Sequence, residues 1–373
     1  MVKNVAVFFG GDSAEREISV LTGLFVLNVL DKTKFSPIPL YLHSDGGIYT
    51  SRQMTSVEFF KEFCVKKAER VILDGKRLLV VGKRQKCKEL AILDVAINCC
   101  HGGLGEGGGV SALAELSGIP LASPSVAPSG IFLDKALTKV LAKGLNIPTV
   151  DWIRVRENDY RKRGAFLIKN IGTRLSYPVI VKPCMLGSSI GIQVANTEEE
   201  LDQALQTAFE LDSVAVIEKF LEEKADVNCA AYKRGGEVFV SEPEIASQGK
   251  GVYGFEEKYL RSDGERFKSG KIPLTEKELA QKIRSYTKTL YKKTNLNGVI
   301  RVDFLISGKN VYLSEVNTVP GSLAYYLFCD RLTGAREFFT DLLEEAVNTF
   351  EKKKTLETGI LRTVKSGGRK IRL

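Results

Sequence analysis

With 373 residues, 44% hydrophobic and 27% charged, the chain is long enough for two or three domains and has the composition of an ordinary globular protein. Its apolar runs fall short of the roughly 18 residues a membrane span needs, and two histidines, His43 and His101, are too few for a multi-histidine zinc site. The formal charge of +9 does not mark a nucleic-acid binder, because eight basic and two acidic residues in 351–373 put +6 in a tail and leave +3 for the body.

Seven scattered cysteines, odd in number and without a CxxC spacing, read as free thiols of a reducing cytosol, with Cys99-Cys100 buried at the end of an apolar run. The first residues run directly into a strand, so no signal peptide is expected.

Val5-Ala6-Val7-Phe8-Phe9 is continuously apolar, as in a strand covered on both faces. It leads through Gly10-Gly11-Asp12-Ser13-Ala14-Glu15 into a helical segment over 18–30. This is a Rossmann-like opening, but the third glycine of the dinucleotide fingerprint is missing, which disfavours a dehydrogenase. A helix N-terminus favours anions, so Ser13 and its backbone could hold a carboxylate or phosphate with Glu15 at the same mouth; a capping serine followed by dipole-compensating acids accounts for these residues equally well.

Strands are expected at 36–42 and 94–100. The second ends in His101-Gly102-Gly103-Leu104-Gly105-Glu106-Gly107-Gly108-Gly109, where six glycines in nine residues let the backbone approach a ligand at a strand's carboxyl end, ahead of a helix over 110–117. A surface turn and an ordinary core histidine are the plain alternatives. Prolines 120, 124 and 128 mark a boundary, followed by a helix over 131–144 carrying Asp134, Lys135 and Lys139.

Residues 147–150 and 177–183 read as strands. Lys182 ends the second, just before Gly187-Ser188-Ser189: a point charge beside backbone and hydroxyl donors, which is phosphate-binding chemistry without a Walker A motif. A short edge-like strand is expected at 215–221, a further sheet segment at 238–245, and a glycine-rich aromatic loop at 247–260 of the composition that closes over substrates. Helices are expected over 276–293 and 338–350.

Between those helices lie Arg301-Val302-Asp303-Phe304-Leu305-Ile306 and Val311-Tyr312-Leu313-Ser314-Glu315-Val316-Asn317, joined by a turn with Gly308 and Asn310. Alternation puts Arg301 and Asp303 on one face and Glu315 and Asn317 on one face of the partner strand. A buried salt bridge and a metal site are both consistent with this set; the added amide favours Mg²⁺, which takes oxygen ligands.

The order Gly10-Gly11-x-Ser13-x-Glu15, His101-Gly102-x-x-Gly105-Glu106, Asp134-Lys135, Lys182-Pro183 with Gly187-Ser188-Ser189-x-Gly191, Glu218-Lys219, Glu257-Lys258-Tyr259, Arg301-x-Asp303 and Glu315-x-Asn317-Thr318-x-Pro320-Gly321 resembles the D-alanine–D-alanine ligases of the ATP-grasp superfamily over about residues 3–350. The resemblance implies an α/β fold of three domains: a Rossmann-like N-terminal domain (1–120) and two α+β nucleotide-clamping domains (121–212 and 213–350); the basic tail at 351–373 lies outside it and is expected to be mobile. The resemblance also implies an ATP-dependent carboxylate–amine ligase of peptidoglycan precursor synthesis, cytoplasmic and homodimeric, without nucleic-acid or membrane partners.

By match, Lys135 and Lys182 would hold ATP phosphates, with Lys258 touching phosphate. Glu218 and Lys219 would flank the adenine, and Asp226 would take the ribose-binding place at a shifted spacing. Asp303, Glu315 and Asn317 would ligate two Mg²⁺ or Mn²⁺ ions, and Arg301 with the backbone at Gly321 would stabilise the tetrahedral intermediate. Glu15 would hold the first D-alanine's ammonium with His101 close by, and Ser188 and Tyr253 would belong to closing loops. Two positions depart from the family: Gly107 stands where an Asp is usual, and Tyr326 stands where a Ser grips the second substrate's carboxylate. The acceptor is therefore D-alanine or another D-amino or hydroxy acid, and a nucleotide-binding paralogue without turnover is the remaining alternative.

Overall fold

A computed structural model describes residues 2–249 and 272–351. Among them, three sheets follow one another along the chain. The first is built on β1 (Lys3–Gly10), whose apolar residues Val5 to Phe9 are sealed from solvent. It pairs in parallel with β2 (Phe35–Leu42) and β7 (Val95–Asn98), and α1 (Arg16–Val29) forms the crossover from β1 to β2 that a parallel pair requires. Beyond β2 the sheet turns antiparallel through β3 (Ile48–Thr50), β4 (Glu69–Asp74), β5 (Arg77–Val81) and β6 (Cys87–Ile92), with α2 (Val57–Lys61) between β3 and β4.

After α3 (Val110–Leu116), the single helix expected over 131–144 is two, α4 (Val126–Leu133) and α5 (Lys135–Gly144). Asp134 divides them: its backbone leaves the helical region (φ −82°, ψ 109°) and its carboxylate accepts the Leu137 N–H at 2.8 Å. A side-chain acceptor placed there competes with the helical ladder and restarts it as an N-cap.

The second sheet is antiparallel, in the order β10-β9-β11-β8, from β8 (Trp152–Arg156), β9 (Val179–Pro183), β10 (Gln193–Ala195) and β11 (Val214–Lys219). Helices α6 (Glu157–Leu175) and α7 (Glu198–Leu211) pack Ile171, Leu175, Leu201 and Leu205 onto its core. Residues 147–150 are not a strand: Pro148 has no N–H to pair, its carbonyl accepts from Leu313 at 2.7 Å, and the strand starts at Trp152. β11 lies between β9 and β8 rather than at an edge, and the sheet reaches Lys219, past the expected division at 212/213.

The third sheet runs β13-β12-β15-β16, with β14 also on β12; its strands are β12 (Lys224–Arg234), β13 (Glu237–Val240), β14 (Glu244–Gly249), β15 (Ile300–Ser307) and β16 (Asn310–Asn317). The segment expected at 238–245 is thus two strands, split at Glu242-Pro243. On this sheet α8 (Lys277–Lys293) lays Ile283, Thr287, Leu290 and Tyr291, one face of a helix. Each large apolar side chain so buried contributes about 1.5–3 kcal/mol. The last helix, α9 (Leu332–Glu351), returns to the first sheet, where Phe338, Phe339, Leu342 and Leu343 join a core with Val7, Phe9 and Leu24.

Among the described residues no helix is long and apolar enough to cross a membrane. Among the same residues no disulfide joins the cysteines; Cys99, Cys100, Cys184 and Cys229 are buried as expected of structural thiols, whereas Cys64 and Cys87 are exposed.

Candidate active site

In the β15–β16 hairpin Arg301 lies opposite Asn317 and Asp303 opposite Glu315. Cross-strand partners share a face, so all four project together while Val302, Phe304 and Val316 bury the other face against α8. Arg301 Nε and Nη2 donate to Asp303 Oδ1 and Oδ2 at 2.7 and 2.9 Å, and Asn317 Nδ2 donates to Asp303 Oδ2 at 3.0 Å. The salt bridge is therefore present, and it shares its face with the Asp303 and Glu315 carboxylates and the Asn317 amide, oxygen donors of the type hard cations take.

The loops of the first sheet face this hairpin. Glu15, at the start of α1, is buried under two glycines: a Cβ at Gly102 or at Gly187 would stand 2.5 Å from Glu15 Oε2. Only a residue without a side chain lets either loop come so close. Ser188, in the left-handed region at φ 53°, donates its hydroxyl to Glu15 Oε1. The N-cap position of α1 is Glu15 rather than Ser13, whose Oγ accepts the Glu15 N–H at 3.2 Å and donates to the His101 carbonyl at 2.7 Å.

His101 Nε2 lies 2.8 Å from Thr22 Oγ1 on α1. Burial, reinforced by the nearby Arg301 guanidinium, pushes the imidazole down to about 4 against the opposing effect of a hydrogen bond to the Val319 backbone. Glu106 Oε2 accepts the Gly102 N–H at 2.8 Å, while Oε1 accepts from Thr318 N, Thr318 Oγ1 and Val319 N at 3.1, 3.3 and 3.2 Å. One carboxylate thereby joins the glycine loop to the end of the hairpin, although burial and the Glu15 charge push its pKa up to about 7. At Gly107 a Cβ would meet Leu133 Cδ2 at 2.7 Å, so Leu133 occupies the room of the usual Asp.

Beyond Gly321 the chain makes a left-handed turn: Ser322, Leu323 and Ala324 have φ of 49°, 53° and 50°. For residues with a Cβ this costs roughly 1–2 kcal/mol each, and contacts from α1 hold it. Ser322 N–H donates to Thr22 Oγ1 at 3.2 Å, and the Tyr325 ring stacks on Phe25 at 4.6 Å. The turn delivers Tyr326, whose phenol oxygen accepts from Arg301 Nη1 at 3.3 Å.

A second cluster lies on the second sheet. Glu218 takes Lys139 Nζ on Oε1 at 2.9 Å and Lys182 Nζ on Oε2 at 3.0 Å. Burial opposes its charge, yet the two ammonium groups bring its pKa down to about 2. Two cations around one anion leave a net positive charge, and the less covered cation is Lys182. Lys135 Nζ donates to the Leu186 carbonyl in the loop before Gly187.

Glu15, His101, Lys135, Arg301, Glu315, Asn317 and Gly321 line a single cavity. Ser188 reaches it through Glu15, and Asp303 and Tyr326 through Arg301. Lys182 and Glu218 form the neighbouring cluster. Lys219 and Asp226 are not drawn in: Lys219 Nζ binds the Ser176 carbonyl at 3.0 Å, and Asp226 pairs with Lys224 on the same strand. Tyr253 and Lys258, with the expected loop from 250 onward and the tail from 352, lie outside the described residues. Sequence reading assigned no role to Glu106, Lys139 or Thr22. Lys139 did carry a signal, since it falls with Ala136 and Ala142 on the buried stripe of α5.

Comparison with known proteins covers most of the chain. Residues 4–124 match the family described as D-ala D-ala ligase N-terminus and residues 141–348 the one described as D-ala D-ala ligase C-terminus. The D-alanine–D-alanine ligase of Thermosipho melanesiensis is 32% identical over 96% of this chain and 98% of that protein. That of Caldicellulosiruptor bescii is 33% identical over 95% and 97%. A crystal structure of D-alanine–D-alanine ligase from Helicobacter pylori superposes with a TM-score of 0.76 at 30% identity, covering 94% of this chain and 100% of that one.

Proposed function

The chain belongs to the D-alanine–D-alanine ligase family, and from that membership we propose that it joins two D-alanines, with ATP cleaved to ADP, for peptidoglycan precursor synthesis. The observation that carries this reading is the convergence of Glu15 at the start of α1, Lys135 at the start of α5, Arg301, Glu315 and Asn317 of the β15–β16 hairpin, and Gly321 beyond it, on one cavity. The fold is the three-domain ATP-grasp arrangement of that family, and the chain is a carboxylate–amine ligase.

The roles proposed are those the family resemblance implies for these positions, and the geometry supports several of them. Lys135 and the net charge of the Lys139–Glu218–Lys182 cluster hold the nucleotide's phosphates, a role the family resemblance also gives Lys258. The nucleotide base lies along β11 at Glu218 and Lys219; with its side chain tied to Ser176, Lys219 offers its backbone, and Asp226 reaches the ribose only by leaving Lys224. Glu15 holds the ammonium of the first D-alanine, whose carboxylate takes the γ-phosphoryl group. The second D-alanine's amine then attacks the acyl phosphate and releases phosphate. Arg301 and the Gly321 N–H meet the tetrahedral oxyanion, the kind of preorganised donors that commonly contribute a few kcal/mol each. Ser188, bonded to Glu15, shields the site from water, a role the family resemblance also gives Tyr253.

Asp303, Glu315 and Asn317 are suited to hold two Mg²⁺ or Mn²⁺ ions, which when bound neutralise phosphate charge. We place the enzyme in the cytoplasm as a homodimer. Three domains, 1–120, 121–212 and 213–350, are proposed for it, with β11 entering the second domain's sheet from beyond the 212/213 limit and the nucleotide between the second and third.

One observation favours a second acceptor. The phenol of Tyr326 occupies the place of a serine and lies against Arg301, which reshapes the pocket for the second substrate's carboxylate. The test is phosphate release from ATP and Mg²⁺ with D-alanine alone and with a panel of second substrates, the products identified by mass. D-alanyl-D-alanine from D-alanine alone is expected. Mixed products only would make the acceptor a different D-amino or hydroxy acid, and silence throughout would overturn ligation.

A further inference from the structure

We propose that Thr22, on α1, is a positioning residue for the acceptor half of the site, fixing the left-handed turn at Ser322–Ala324 and the orientation of His101 through one hydroxyl. This rests on the ligase reading and deepens it. The turn stands between the two groups assigned to the acceptor step, the Gly321 N–H and the Tyr326 phenol, so its shape sets their separation. Three successive residues with a Cβ in the left-handed region do not hold that shape on their own. Inside the turn, Leu323 N–H donates to the Pro320 carbonyl at 2.7 Å. From outside it is held by α1, where Thr22 takes the Ser322 N–H at 3.2 Å and Phe25, three residues on and on the same face, stacks on Tyr325.

One of the two hydrogen-bond directions is set by its donor. A backbone N–H can only donate, so Thr22 Oγ1 accepts from Ser322. Buried beside the Arg301 guanidinium, His101 is neutral and carries one ring proton. With that proton on Nδ1, the nitrogen away from Thr22, Nε2 accepts the Thr22 hydroxyl proton across 2.8 Å. Val319 and Ser322 flank Pro320-Gly321, so Thr22 grips both sides of the segment that presents the Gly321 N–H. Glu15 stands at the start of the same helix, seven residues or about 10 Å from Thr22 along its axis. A rigid α1 therefore sets the spacing between the first substrate's ammonium group and the acceptor turn.

Thr22→Val keeps the volume and removes both bonds; Thr22→Ser keeps both. With D-alanine as substrate, Thr22→Val is expected to raise the KM of the second D-alanine about tenfold or more, leave the KM of the first and of ATP within twofold, and leave kcat within severalfold, while Thr22→Ser restores wild-type values. Independently of turnover, ¹⁵N NMR of the wild-type protein at neutral pH is expected to show His101 as the Nδ1–H tautomer, a state that Thr22→Val perturbs and Thr22→Ser retains. Equal rises in both D-alanine constants, an unchanged second constant, or an Nε2–H tautomer in the wild type would overturn the proposal. If the wild-type protein makes no dipeptide, the ligase reading fails by itself and the NMR outcome still decides the role of Thr22 in holding the turn.

Discussion

Lys139 Nζ lies 2.9 Å from Glu218 Oε1 with both side chains sealed from solvent, in a chain whose other partner for that carboxylate, Lys182, faces the proposed phosphate site. Lys139 thus governs how much of the charge of Lys182 remains for a ligand. Removing it leaves a one-to-one pair with no excess positive charge. Breaking one partner out of a buried ionic cluster typically costs about 3–5 kcal/mol. Lys139→Met is expected to lower the thermal midpoint and raise the KM for ATP at least tenfold, with D-alanine constants little changed. Unaltered ATP kinetics in a folded variant would remove Lys139 from the site.

Glu106 connects loops 212 and 213 residues apart in sequence through bonds to Thr318 and Val319. Hydrogen bonds to a charged group are worth about 1.5–3 kcal/mol each. Glu106→Gln turns an amide NH₂ towards these donors or sacrifices an acceptor. Its kcat/KM for dipeptide synthesis should fall by about two orders of magnitude with secondary structure intact by circular dichroism; turnover within threefold of wild type would show that the clasp does not position Asn317 and Gly321.

His101 sets a pH dependence of stability. Its pKa is about 4 in the folded protein and about 6.5 when unfolded. Between these values the unfolded chain binds a proton that the native site refuses, so this group's contribution is intact above pH 6.5 and is lost as pH falls towards 4. The integrated loss is about 3 kcal/mol. Glu106, pushed up to about 7, works in the opposite direction over part of the range, so the difference between wild type and His101→Gln isolates the histidine. Denaturant titrations at several pH values should show that difference shrinking on acidification, and the His101 ring should titrate by NMR near 4. A midpoint above 6 would contradict the buried, neutral ring.

Glu315→Ala removes one of the proposed oxygen donors opposite Asp303. Phosphate release with D-alanine should vanish while the thermal midpoint stays within a few degrees. Retained turnover with the wild-type Mg²⁺ dependence would refute the metal assignment.

Tyr326→Phe deletes the phenol that accepts from Arg301 Nη1. The expected result is a rise of roughly tenfold in the KM of the acceptor with the first substrate unaffected, measured by mass-resolved initial rates; Tyr326→Ser should shift the ranking of acceptors in a panel. If neither variant changes that ranking, specificity is set elsewhere.

Local periodicity determined what the sequence could show. The alternation of β15 and β16 sufficed to put Arg301, Asp303, Glu315 and Asn317 on one side of a hairpin, because strand geometry fixes the face of every second residue. The apolar run of β1 and the glycine turn after it likewise depend only on neighbours in the chain. The helix break at Asp134 was local too, yet unread: an aspartate inside an apolar period caps a new helix as readily as it continues an old one.

Tertiary structure alone decided which partners the buried polar groups take. Thr22 meets Ser322 across 300 residues, Glu106 meets Thr318 across 212, and Glu218 reaches back to Lys139 on a helix of another layer. No period in the sequence encodes such pairings. They arise because a buried donor or charge is costly until it finds a partner, and only the packing of α1, α5 and the hairpin around one cavity brings those partners within reach. The same packing turns Lys219 and Asp226 away to nearer partners, although the motif order had placed them beside the nucleotide.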